Sequence, residues 1–261
     1  MDQFEHLLVE KNQGIALVTL NRPKQLNALN KALLSELNIA FEALRDDAET
    51  KVVLLTGSGE KAFVAGADIK EFSSFNGEQG AELSKEGHLT VFNVIEEFPK
   101  PVIAAVNGFA LGGGLELAMS AHIRIASDNA RMGLPETSLG LIPGYGGTQR
   151  LPQLIGKGRA LEMIFSAKMI DAETALSYGL VNQVVLQEEL LEAAKKMAHS
   201  FMKNSIVAMG YAIESVNAGL LEGSVGYDVE VQAFGDCFET ADFKEGTQAF
   251  MEKRKPDFPG A

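Results

Sequence analysis

The stretch PVIAAVNGFALGGGLELAMS, residues 101–120, decides how the chain is built. Residues 101–106 form a short, wholly apolar run with the length and β-branched content of a buried strand. A glycine-rich turn, Leu111-Gly112-Gly113-Gly114, leads into a helical segment over residues 116–120, and residues 122–126 read as strand again. Strand, turn, helix and strand on this spacing predict α/β architecture with crossover connections.

The alternation continues upstream. Residues 14–20 (GIALVTL) are an apolar run ending in the turn signal Asn21-Arg22-Pro23. Helical periodicity begins near Asn30, with Leu33, Leu34, Leu37, Phe41 and Leu44 on one face. Residues 51–56 (KVVLLT) read as a buried strand closed by Gly57. A loop of small residues follows, Ala65-Gly66-Ala67-Asp68, then a polar helix over 79–97 that stops before Pro99. Downstream the pattern turns helical, with helices predicted over 146–155, 159–167, 172–178, 188–202, 206–218, 226–240 and 244–254. One strand, 181–185, interrupts them. A composition shift at Asn204-Ser205 divides the chain into a core, residues 1–203, and a helical carboxyl-terminal region, residues 204–261.

At 261 residues, 46% hydrophobic and 22% charged, the composition is that of a globular protein able to build a sizeable core without a staple. The single cysteine, Cys237, cannot form an internal bridge, which suits a reducing compartment. MDQFEHLLVEKNQG at the start has no apolar run of signal-peptide length, and no segment approaches a membrane span, so a cytoplasmic address is expected. A net charge of −12, from 23 basic and 35 acidic residues, argues against nucleic acid as a partner. An anionic small ligand would depend on a few locally placed lysines.

Glycines at 112–114 let backbone N–H groups approach a ligand at the positive end of a helix, an arrangement suited to an oxyanion; tight packing is the other reading. Leu117 breaks the dinucleotide fingerprint, and Gly57-Ser58-Gly59-Glu60-Lys61 lacks the spacing of a P-loop. Glu116, embedded among Leu115, Leu117, Ala118 and Met119, is a candidate acid/base with a perturbed pKa; helix-end charge complementation is the alternative. Glu136, in Gly133-Leu134-Pro135-Glu136, is the second carboxylate. Two converging carboxyls can hold one water and exchange protons with it. His6, His88, His122 and His199 lack ligand-like spacing, so no metal site is expected. No G-x-S-x-G elbow is present to start a serine triad.

The string from Asn107 to Met119 and its continuation LPETSLGLIPGYGGTQRL, residues 134–151, closely resemble the enoyl-CoA hydratase (crotonase) family. The resemblance extends through Leu26-Asn27-Ala28-Leu29, residues 63–70 (FVAGADIK), residues 100–106 (KPVIAAV) and residues 250–255 (FMEKRK). It implies an α/β crotonase-like spiral of repeated ββα units, followed by a helical region that builds homotrimers, often paired into hexamers. It also implies an oxyanion hole from the backbone N–H groups of Ala67 and Gly113, and catalysis by Glu116 and Glu136. Ala65, Ala67, Asp68, Ile69 and Lys70 resemble the segment that wraps coenzyme A. Lys24, Leu26, Gly113 and a neighbouring subunit's Lys253 complete the substrate contacts. The implied reaction is reversible syn hydration of a 2-trans-enoyl-CoA, with coenzyme A as part of the substrate and no separate cofactor. A double-bond isomerase is the first alternative, although family isomerases often lack the glutamate matching Glu116; a non-catalytic acyl-CoA-binding or scaffolding relative is the second. Leu115, His122 and Leu134 depart from the commonest hydratase residues and bear on pocket shape.

Overall fold

The computed structural model describes residues 4–220 and 226–261; the first three residues of the stretch read for a leader lie outside it. The chain opens with a hairpin, β1 (Leu7–Asn12) and β2 (Ile15–Leu20), whose two-residue turn uses Gln13 and Gly14, both at positive φ. Asn30 caps α1 (Lys31–Asp46) by accepting from the Leu33 amide at 2.9 Å, and of the predicted apolar face Leu33, Leu37, Phe41 and Leu44 are buried and Leu34 half-buried.

From β3 (Val52–Gly57) onward the chain winds as a spiral. β4 (Ala62–Val64) is followed by a long helical path: α2 (Gly77–Gly87), a π-helical turn (His88–Phe92) and α3 (Asn93–Glu96). The next turn is β5 (Val102–Val106), β6 (Phe109–Leu111) and α4 (Gly113–Ser120). The one after is β7 (Ile123–Ser127), β8 (Arg131–Gly133), α5 (Gly147–Ile155) and α6 (Lys157–Ser166). β9 (Ile170–Asp171), α7 (Ala172–Tyr178), β10 (Gln183–Val185) and α8 (Leu190–Phe201) close the core. The first strand of each turn joins a six-stranded sheet of order β1-β2-β3-β5-β7-β10, and the second a four-stranded sheet of order β4-β6-β8-β9. The expected α/β spiral of ββα units is therefore present.

The large sheet is covered on both faces at its centre, which is why β3 and β5 read as nearly continuous apolar runs. Val52, Leu54, Ile103, Ala105 and Ile125 face Leu190, Ala194 and Ala198 of α8. Val53, Leu55, Val102, Ala104 and Val106 face the other way, into the main core with α1 and α4.

The carboxyl-terminal segment holds α9 (Ile206–Gly219), α10 (Gly226–Cys237) and α11 (Ala241–Glu252). Ser205 caps α9 through the Ala208 amide and also donates to the buried carboxylate of Asp242. α9 is apolar in composition (IVAMGYAIESVNAG), yet it holds no buried residue; Val216 is 65% exposed, and on α10 Val231 and Phe234 are 73% and 68% exposed. No helix among the described residues is long and apolar enough to cross a membrane.

Candidate active site

The amino terminus of α4 resolves both readings of the glycine triplet. Gly114 packs so closely on the Val64 carbonyl of β4 that any Cβ would collide with it. Gly112, at φ 52° and ψ −127°, lies under Glu136, whose Oε1 would stand 2.6 Å from an added Cβ. The Gly112 amide is used in the sheet, donating to Gly133 at 2.9 Å. The Gly113 amide opens the helix, where no intrahelical acceptor exists, and it donates to no group among the described residues.

Ala67 pairs with Leu29 through a single parallel bridge. The bridge bonds flank Ala67: Leu29 N–H donates to the Gly66 carbonyl at 2.9 Å, and Asp68 N–H to the Leu29 carbonyl at 2.7 Å. Parallel pairing of this kind turns the middle residue's own N–H away from its partner. The Ala67 amide accordingly has no acceptor among the described residues. Leu29 links the two amides, because its Cδ1 lies 3.1 Å from where a Gly113 Cβ would stand.

Glu116 is 1% exposed, one turn into α4. Its Oε1 accepts two backbone bonds, from Tyr145 N–H at 2.8 Å and Gly147 N–H at 2.7 Å. Burial pushes its carboxyl up to about 7; the Gly147 and Tyr145 amides and the Arg150 charge pull it back, and Glu136 adds to the rise. Glu136 begins the 3₁₀ turn Glu136–Leu139, and burial raises its carboxyl as well. Its Oε2 is buried without any hydrogen-bond partner, an orphan of the kind a protonated carboxyl or a ligand would satisfy. The two carboxyls thus sit within electrostatic reach of each other beside two unpaired amides, and the helix-end reading of Glu116 does not account for its burial.

The segments read as a coenzyme cradle are brought together. Lys24 lies exposed in the 3₁₀ turn Pro23–Gln25, and Leu26 follows it at φ 50°, 38% exposed. The Leu26 carbonyl accepts from Ala65 N–H at 3.0 Å. Arg22 ties the layers further, donating to the Ala28 carbonyl and pairing with Asp68 at 3.4 Å. Ile69 and Lys70 lie on the 3₁₀ turn Ile69–Glu71, and Ile69 is 48% exposed. Lys253 sits exposed just past α11.

Three participants had no role assigned from sequence: Tyr145 and Gly147, which hold Glu116, and Arg150. Backbone donors carry no side-chain signature; only the closely spaced glycines of Gly144-Tyr145-Gly146-Gly147 hinted at them. The Tyr145 ring, 8% exposed, stacks on Phe92 with centroids 4.6 Å apart and lies 3.4 Å from a Cβ position on Gly113. It therefore walls the space beside the Gly113 amide. One expectation is corrected. His122 stands past the far end of α4, accepting from Val102 N–H at 2.9 Å and contacting the Glu96 carbonyl at 3.0 Å. It shapes helix packing and not the pocket. Leu115 and Leu134 are fully buried in the main core. Among the described residues no cluster of His, Cys, Asp or Glu could hold a metal ion.

A family model described as enoyl-CoA hydratase/isomerase matches residues 10–261. A short-chain-enoyl-CoA hydratase of Clostridium acetobutylicum is 48% identical over 254 residues, covering 97% of each chain. A crotonyl-CoA hydratase of Syntrophomonas wolfei is 46% identical over 98% of each. The crystal structure of an enoyl-CoA hydratase from Bacillus anthracis superposes with a TM-score of 0.92 at 43% identity, covering 98% of this chain and all of that one. With matches spanning nearly the whole chain and the spiral present, the protein belongs to the enoyl-CoA hydratase/isomerase family.

Proposed function

We propose that the protein is a hydro-lyase that adds water reversibly and syn across a short 2-trans-enoyl-CoA, giving the 3-hydroxyacyl-CoA. The observation that carries this is the pair of buried carboxyls: one anchored by two amides, the other with an unsatisfied buried oxygen. In this reading the thioester oxygen accepts from the Ala67 and Gly113 amides, which take up enolate charge as water attacks. Glu116, held as a carboxylate, removes a proton from water as its oxygen bonds to C3. Glu136, carrying the proton its buried oxygen calls for, delivers hydrogen to C2. One water is consumed, its oxygen and one hydrogen ending on C3 and a hydrogen on C2, and no cofactor is required beyond the coenzyme A of the substrate. Lys24, Leu26, Ala65, Asp68, Ile69 and Lys70 would cradle the nucleotide, with Lys253 contributed by a neighbouring subunit. Two catalytic carboxyls favour water addition over double-bond migration, which needs one.

The exposed apolar faces of α9 and α10 support a homo-oligomer, a trimer or a pair of trimers, with residues 204–261 as its building region. The short-chain preference is supported by the Tyr145 ring beside Gly113 and by the names of the two curated relatives.

Loss of conjugated-thioester absorbance with crotonyl-CoA tests the reading, and a 3-enoyl-CoA run alongside separates hydratase from isomerase. Rapid hydration of the 2-enoyl substrate is expected. Turnover of the 3-enoyl substrate alone would replace hydration with isomerisation, and no turnover of either would leave only a binding protein.

A further inference from the structure

The Arg150 side chain is nearly buried, 6% exposed, and every polar atom of its guanidinium is engaged. Nε and Nη2 form a fork on the Glu96 carboxylate at 3.0 and 2.5 Å, and Nη2 also donates to Asn93 Oδ1 at 3.0 Å. Nη1 donates to the Tyr145 carbonyl at 2.9 Å. That carbonyl lies between the two amides, of Tyr145 and Gly147, that hold Glu116. Gly146, at φ 98°, makes this geometry possible: its positive φ turns the flanking N–H groups to one side, and a Cβ there would occupy the place of the guanidinium.

We propose that Arg150 is a positioning residue for water addition, holding the Tyr145 carbonyl so that the Tyr145 and Gly147 amides stay aimed at Glu116 Oε1. This rests on the hydratase reading above. Arg150 makes no hydrogen bond to Glu116; it acts through the loop. With Oε1 fixed by two donors, Oε2 of Glu116 is left without a protein partner among the described residues and is free to take the proton of water. The loop is held from the same helical path at other points. Ser84 Oγ donates to the Gly144 carbonyl at 2.5 Å, and Phe92 stacks on Tyr145. The π-helical turn at His88–Phe92 adds a residue to one turn of this path, so that Ser84, Phe92, Asn93 and Glu96 all address residues 144–150. The charged groups acting on Glu116 are Glu136 and Arg150, of opposite sign.

The test is steady-state hydration of crotonyl-CoA across roughly pH 5.5 to 9 for wild type, Arg150→Met, Arg150→Lys and Asn93→Ala. In Arg150→Met, kcat is expected to fall about 100-fold with KM within about threefold, because substrate contacts are untouched. The acid limb of kcat should move to higher pH as Glu116 loses its held amides and its nearest cation. Arg150→Lys keeps the charge but not the fork, and Asn93→Ala removes one tether; each should lose about tenfold with a smaller displacement of the limb. These two variants decide the matter should Arg150→Met fail to fold. An unmoved acid limb in the folded variants, whatever happens to kcat, would make Arg150 merely structural and overturn the proposal. A wild type that does not hydrate crotonyl-CoA would instead remove the functional reading, and this role with it.

Discussion

Glu116, the base in the proposed reaction, shows what burial costs a carboxylate. Its carboxyl titrates near 7 in the fold, against 4.5 for an unburied glutamate, so the native state binds this proton more tightly than the unfolded chain does. Stability from this group is therefore lost as pH rises between those two values, by about 3 kcal/mol in total. Glu116→Gln, which is neutral throughout, is expected to melt higher than wild type at pH ~8 and nearly level with it at pH ~4, by calorimetry. The same variant, and Glu136→Gln, should lower kcat for hydration by about 10²–10⁴-fold while acyl-CoA binding persists. In wild type, kcat/KM for hydration should decline below pH ~7, where the Glu116 carboxylate is lost. In the proposed reading Tyr145 bears on substrate size and not on protons. Tyr145→Ala removes the ring beside Gly113, and the ratio of kcat/KM for C8 over C4 substrates should rise about tenfold, even though the lost stacking on Phe92 lowers the melting temperature.

Among the elements, α4 has the most to lose from a single added atom. Gly112 stands where φ is 52° and ψ −127°, a conformation almost reserved for glycine, and it touches Glu136. Gly112→Ala should destabilise the fold by about 1–3 kcal/mol and lower kcat at least tenfold by displacing Glu136, as read by melting and by turnover. The triplet, the two glutamates and the strands β5 and β7 are legible in sequence because each is a run of side chains with a pattern. Less legible were β4, β6 and β8, three residues each, too short to show any period; their pairing comes from the smaller sheet assembled by successive turns. β1 carries no clear strand signal because its outer half is exposed and its residues mix Leu with Glu and Lys. The last helix runs over Ala241–Glu252 in place of 244–254, its start fixed by Asp242, whose carboxylate accepts from Ser205 and from the Gly260 amide. Such long-range partners leave no local trace. The same holds for Arg150, whose guanidinium is bonded to residues some fifty positions earlier.

For the whole molecule, each turn of the spiral brings one part to a common place. Residues 26–29 carry the bridge partner, 65–70 one free amide, 112–116 the other amide and a carboxyl, 136 the second carboxyl and 145–150 the donors and their clamp. The parallel strand pairings that align these turns explain how distant sequence segments meet. They also explain why spacing alone could not establish that Glu116 and Glu136 converge.

α9, rich in apolar side chains yet nowhere fully buried in the isolated chain, makes resistance to heat a matter of mass action. If identical copies shield that helix only when associated, dilution draws them apart before they unfold. The melting temperature should then climb with protein concentration, while a chain bearing Val216→Lys should melt at one lower temperature however concentrated it is.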